Sequence, residues 1–162
     1  MTNTGKLSLA ILAIALGGCG AAETKVAAEP PAKLPAGEYI VTAKIDALRS
    51  TDKTTPATKA KLGETISTTG CVGADNQPAA ELFAAAGDKC TAKDSYVRSG
   101  RLNVSYSCAR AGTPGEVMIS ADGRYTADGF TGKATTTTYF NGSGDYTQVT
   151  SLTAKRAGQC KA

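Results

Sequence analysis

Cys90-Thr-Ala-Lys-Asp-Ser-Tyr-Val-Arg-Ser-Gly-Arg-Leu-Asn-Val-Ser-Tyr-Ser-Cys108 decides the fold. Leu102, Val104, Tyr106 and Cys108 fall on one face of an extended chain, and Arg101, Asn103, Ser105 and Ser107 on the other. That period of two is what a half-buried strand requires. Arg98-Ser99-Gly100 fits a three-residue hairpin loop with glycine in the left-handed position. In the register it sets, Tyr96 faces Leu102 and Cys90 faces Cys108. A two-residue turn at Ser99-Gly100 would pair Cys90 with Ala109 and put the two sulfurs on opposite faces.

Working outward, the same pattern recurs. Tyr39, Val41, Ala43, Ile45 and Ala47 alternate with Glu38, Thr42, Lys44 and Asp46, and residues 64–72 continue in β-type composition. Further strands are expected at 116–121, about 130–140 and 145–156. Thr113-Pro-Gly115, Asp122-Gly123, Asp128-Gly129 and Asn141-Gly-Ser-Gly144 read as the turns between them, and the Ser/Thr/Asp/Lys/Pro stretch 49–61 as a loop. Residues 79–86, Ala-Ala-Glu-Leu-Phe-Ala-Ala-Ala, form the one helix candidate, with Pro78 before and Gly87 after. The expectation is all-β: an antiparallel meander of about seven to eight strands, curled into a barrel or half-barrel, with one short helix and two disulfides.

The hairpin register selects Cys90–Cys108 among the three connectivities open to four cysteines, leaving Cys71 to pair with Cys160. No Cys-x-x-Cys and no histidine are present, so neither a metal site nor a cofactor is expected. From Gly37 onward Leu, Ile, Val, Phe and Met together number 19, and threonine alone numbers 19. So thin a core makes the bridges matter.

Upstream of this domain, residues 1–18 have the three parts of a secretory signal. Lys6 is the one cation of the n-region, residues 7–16 are an apolar run, and Gly17-Gly18 precede Cys19. A run of ten residues, apolar but for Ser8, is about half of what a membrane span needs. The junction Leu16-Gly-Gly-Cys19 resembles a bacterial lipobox, which implies a diacylated Cys19, cleavage before it, and anchoring through fatty chains such as palmitate. Gly20, not aspartate, follows the cysteine, which points to the periplasmic face of an outer membrane within the cell envelope. Residues 19–36 are rich in Ala and Pro and read as a disordered tether, with residues 37–162 as the folded domain.

Without histidine, the Ser-His-Asp and Cys-His arrangements and the usual general base are excluded, and no enzyme activity is expected. Ser50-Thr-Asp-Lys53 matches Ser-x-x-Lys but sits in a polar loop without its companion motifs. The Asp-Gly pairs and Asn141–Asp145 lack the alternating ligands of a calcium loop, and Gly129–Lys133 lacks phosphate-loop spacing. The mature chain carries 17 basic and 14 acidic side chains with no run of cations beyond Lys155-Arg156, so no nucleic-acid footprint is visible. Tyr39, Tyr96, Tyr106, Phe130, Phe140 and Tyr146 either fill the core of a small barrel or line an apolar pocket.

Taken in order, several segments resemble one family. They are Pro35-Ala-Gly-Glu-Tyr39, Cys71-Val72, Gly87-Asp-Lys-Cys90, Ser107-Cys108, Gly123-Arg-Tyr-Thr-Ala-Asp-Gly-Phe-Thr-Gly132 and Arg156-Ala-Gly-Gln-Cys160. Together they are similar to the bacterial domain of unknown function 3617 family, over about residues 35–161. The resemblance implies a small exported protein with four cysteines at such spacings; it brings no activity with it. Tyr39 stands where many members have tryptophan. The functional expectation is a membrane-anchored, non-catalytic envelope lipoprotein that serves as an interaction or structural module, with an envelope protein as partner, or alternatively a lipocalin-like carrier of a small apolar or amphipathic ligand.

Overall fold

The computed structural model describes residues 29–161; the expected signal segment, Cys19, Gly20 and the expected tether as far as residue 28 lie outside the described residues. Seven antiparallel strands make one sheet: β1 Gly37–Ser50, β2 Thr65–Val72, β3 Lys89–Arg98, β4 Arg101–Arg110, β5 Thr113–Tyr125, β6 Gly129–Phe140 and β7 Tyr146–Gly158. Their order across the sheet is β2-β1-β7-β6-β5-β4-β3. The sheet curls into a half-barrel whose two edges, β2 and β3, face each other across a gap. The alternation expected from the sequence is seen directly. Leu102, Val104, Tyr106 and Cys108 are buried while Arg101 and Asn103 are exposed, and Tyr39, Val41 and Ile45 share the same interior.

The hairpin turns differently from the sequence expectation and still joins the same cysteines. Arg98 pairs with Arg101 across a two-residue turn, with φ of 50° at Ser99 and 74° at Gly100. Positive φ at both central residues is the geometry whose twist suits a hairpin, and glycine adopts it without steric cost. Tyr96 therefore faces Asn103 and points outward, 42% exposed, instead of facing Leu102. One extra residue, Lys93, then bulges out of β3 between Ala92 and Asp94 and shifts the register by one. Beyond the bulge Cys90 meets Cys108, with Cα atoms 3.9 Å apart.

Other boundaries move for physical reasons. Asp122-Gly123 is not a turn; it lies inside β5, with Gly123 opposite Gly132 of β6. A β-carbon at Gly123 would strike the Thr131 carbonyl oxygen, and one at Gly132 the Asp122 carbonyl oxygen, so the two glycines let the backbones close up where the sheet curls. Thr113-Pro-Gly115 likewise belongs to β5, and the turn before it falls at Ala111-Gly112. In β1, Asp46 is a bulge, after which Leu48 and not Ala47 packs against the core. Residues 79–86 do not form the expected helix. A single 3₁₀ turn, Ala80–Leu82, is all that forms, because Ala79 offers no side-chain cap and Phe83 leaves helical geometry with φ of −129°.

That turn occupies the gap between the sheet edges. Val72 bridges to Pro78 and the Ala79 amide donates to the Cys71 carbonyl, fastening the segment to β2. Ser95 of β3 donates to Gln77 from the other side. Leu82 and Phe83 point inward, and Phe83 packs 5.9 Å from both the Tyr106 and Phe130 rings. Filling the gap this way protects two edges that would otherwise offer unpaired backbone groups to another chain.

Residues 32–35, expected to belong to a disordered tether, are instead held in the fold. Leu34 is fully buried, the Ser99 amide and the Tyr125 hydroxyl both donate to the Ala32 carbonyl, and Tyr39 donates to the Pro35 carbonyl. A lone leucine among prolines and alanines thus plugs one end of the half-barrel, the end holding Gly37, Val72, Gly100, Tyr125 and Gly158. At this end Cys160 curls past β7 and joins Cys71 of β2, Cα atoms 5.9 Å apart, over the start of β1.

Candidate functional site: the open half of the barrel

Inward-facing positions differ between the two ends of the sheet, and that difference makes the site. Toward the plugged end they carry Tyr39, Tyr125 and Phe130, which are buried, Tyr39 lying 6.0 Å from Phe130, while Phe83 packs on Phe130 and on the buried Tyr106. Toward the other end they carry Ala43, Thr136, Gln148 and Thr150, too small or too polar to fill the curl. A trough of about 1060 Å³ results, with Ile66, Leu82, Phe83, Ile119 and Leu152 among its apolar walls. Its volume is at the upper end of what small-molecule sites enclose.

A polar corner closes one side of the trough. Arg110 donates from Nε and Nη2 to the two carboxylate oxygens of Asp88 at 3.0 and 2.8 Å, and from Nη1 to the Tyr146 hydroxyl at 2.7 Å. The Asp88 side chain is 2% exposed and that of Arg110 18%. The hydrogen bonds to Asp88 outweigh the desolvation of Arg110 and hold its guanidinium protonated even more firmly than usual. Two parallel bonds of this kind fix orientation as well as charge.

The rim is loop 51–64, held down by Asp52. Its carboxylate accepts from the Thr54 hydroxyl and amide at 2.7 and 2.9 Å, and from the Gly144 and Asp145 amides at 2.7 and 3.1 Å. The Thr54 bonds lead in holding Asp52 well below the usual carboxylate range, with the Asp145 and Gly144 amides adding to them. Ser50 also donates to Asp52, so the Ser50-Thr-Asp-Lys53 match to a catalytic motif is turn chemistry. Asp145 plays the same part in the β6–β7 turn, where its carboxylate accepts from the Phe140 amide at 2.7 Å and the Thr138 hydroxyl at 3.1 Å. Lys59 and Glu64 stand on this rim.

Of the six aromatic residues singled out in the sequence, only Tyr146 lines the trough. Tyr39, Tyr106, Phe130 and Phe140 fill the core, and Tyr96 lies outside it. Tyr106 donates to the Pro78 carbonyl at 2.6 Å, and burial, with the Glu81 charge nearby, pushes its hydroxyl up to about 12. Burial also raises Tyr39, against the opposing pull of Arg156. These two tyrosines and Tyr125 each hold a carbonyl of an irregular segment. The sequence reading missed Arg110, Asp88 and Ile119. A polar pair flanking the β3–β4 hairpin, Asp88 just before it and Arg110 at its end, was the signal available for the first two.

A curled antiparallel sheet, plugged at one end, hollow at the other and stapled by two disulfides, defines a small β half-barrel class of domain. Within it, the chain belongs to the protein family of unknown function DUF3617, whose family model matches residues 31–160. The matched segment starts where Ala32 and Leu34 enter the fold. No curated protein matches the chain, and no solved structure does.

Proposed function

We propose that this protein is a non-catalytic envelope lipoprotein, anchored through Cys19, whose open half-barrel holds a small amphipathic molecule. The trough carries this reading. Its apolar walls suit a hydrocarbon or ring body, and Lys59, Glu64, Arg110 and Tyr146 suit a polar end. The anchoring half of the proposal rests on Leu16-Gly-Gly-Cys19 behind an apolar run of ten residues. Absence of histidine and the commitment of both Asp88 oxygens to Arg110 favour binding over chemistry.

The trough is tested at Ile66, which lines it from edge strand β2 and is already 38% exposed. Ile66→Asp places a carboxylate against the ligand body at small cost to the fold. Binding of an environment-sensitive apolar dye by the mature chain is expected to weaken about tenfold, equivalent to roughly 1.4 kcal/mol. Native mass spectrometry of gently extracted protein should show a lipid-sized adduct that the variant lacks. Unchanged dye binding in the variant, or no adduct on the parent, counts against a ligand trough.

Anchoring has a separate test. Cys19→Ala is expected to abolish fatty-acid labelling and to leave the precursor uncleaved at this junction. Labelling of the variant at the parental level contradicts the assignment.

A further inference from the structure

Along the chain, no stretch beyond Lys155-Arg156 gathers cations, yet the fold gathers them. Arg98 of β3 is directly opposite Arg101 of β4, and Arg101 is directly opposite Arg124 of β5. All three are exposed. Directly opposed residues of neighbouring strands hold their β-carbons roughly 4.5–5.5 Å apart, and like charges so placed destabilise a sheet. Among the described residues none of the three has a carboxylate within ion-pair distance; the one salt bridge there is Arg110–Asp88. Arg98 lies back over the Tyr96 ring, 4.6 Å from its centroid.

The next outward row adds Tyr96, Asn103, Asp122 and Lys133, with Asp122 opposite both Asn103 and Lys133. Between the rows the bare backbone of Gly123 and Gly132 floors a groove of about 660 Å³, walled by Tyr96, Arg101, Arg124 and Lys133 with a single carboxylate, Asp122, among them. An unrelieved row of arginines beside an exposed tyrosine is a surface in need of anions.

Its position says which anions. The row lies at the plugged end of the half-barrel, where the N-terminal segment joins: a β-carbon on Gly100, between Arg98 and Arg101, would touch the Pro30 ring. Pro30 lies eleven positions beyond Cys19, a span of at most about 40 Å. The geometry points to a docking face for anionic lipid headgroups, formed by Arg98, Arg101 and Arg124 with Lys133 and Tyr96, that lays the domain against the membrane holding its lipid. The choice of a bilayer over a soluble anion rests on the anchoring proposed above, whereas the binding itself does not need the acyl chains.

The test uses the unacylated mature chain, residues 19–162 with Cys19→Ala. At low salt it is expected to sediment with phosphatidylglycerol vesicles and not with phosphatidylcholine vesicles, and to be released as ionic strength rises. Arg98→Ala, Arg101→Ala and Arg124→Ala should each weaken vesicle binding about fivefold, and the triple variant roughly a hundredfold. Arg49→Ala, on the outer face at the opposite end, should change nothing. The triple variant should keep or raise its thermal midpoint, since it removes like-charge repulsion, so its loss of binding is not loss of fold. Parental binding by the triple variant, equal binding to neutral vesicles, or an equal loss with Arg49→Ala overturns the proposal. Inorganic phosphate saturating the row in NMR titration, with no binding to anionic vesicles, also overturns it in favour of a small-anion site. Because no acyl chain is present, failure of fatty-acid labelling at Cys19 leaves these outcomes unchanged.

Discussion

Breaking Cys71–Cys160 is expected to cost this domain about 4.5 kcal/mol, and breaking Cys90–Cys108 about 3 kcal/mol, in the chain-entropy view of cross-links. The difference follows from the sequence separations, 89 residues against 18. The core cannot absorb both losses, because its inward positions include Thr138, Thr150 and several alanines. A small domain's whole stability is roughly 5–15 kcal/mol. Each bridge also secures one free edge of the sheet: the first ties β2 to the tail of β7 across β1, the second ties β3 to β4. Urea unfolding of a chain spanning residues 29–162 should show the midpoint falling further for Cys71→Ala/Cys160→Ala than for Cys90→Ala/Cys108→Ala, and reduction of both should leave the chain largely unfolded. A reductant that barely moves the midpoint would show the sheet to be self-sufficient.

The second large effect is expected at Arg110. Arg110→Ala leaves the Asp88 carboxylate buried without its partner, and removing one member of a buried pair costs about 3–5 kcal/mol. Asp88→Ala added to Arg110→Ala should restore part of that loss, since the stranded charge is gone. Arg110→Lys should be a poor substitute, because an ammonium cannot reproduce the two-pronged contact with Asp88 while also reaching Tyr146. Denaturation of the two single variants and the double variant gives the coupling directly. A single variant losing under about 1 kcal/mol would place the pair among ordinary surface contacts.

Much of the fold is legible where one strand carries its own record of a face. Leu102, Val104, Tyr106 and Cys108 declare their strand because their alternation is uninterrupted. The bulges at Lys93 and Asp46 are not legible, since an extra residue is defined only by the partner strand that fails to meet it. The cysteine pairing came out as expected although the turn did not, because the shift at Lys93 offsets the shorter turn. Asp122-Gly123 misleads because the dipeptide favoured in hairpin turns here serves a close approach of two strands inside the sheet. Leu34 carries no periodicity, so only its burial distinguishes it from its Ala/Pro surroundings.

The trough and the arginine row were hidden for a shared reason. Each is an arrangement across strands: the trough needs Ala43, Ile119, Thr136 and Thr150 to face one another, and the row needs three arginines from three strands in one line. Composition along the chain reports neither, because sheet order and register decide both.

The sheet order also fixes a timetable. The first strand lies beside the last, so the pairing of β1 with β7 joins segments about a hundred residues apart and must overcome the closure entropy of everything between. If the chain is delivered N-terminus first, β1 and β2 can form only a two-stranded ribbon, one of whose long edges waits for Tyr146–Gly158. Strands β3 to β7, each next to its predecessor, can meanwhile accrete one hairpin at a time. Cys90 and Cys108 meet early in such a sequence, whereas Cys71 has no partner until Cys160 arrives. Completion of this domain thus waits on the segment from Tyr146 to Cys160.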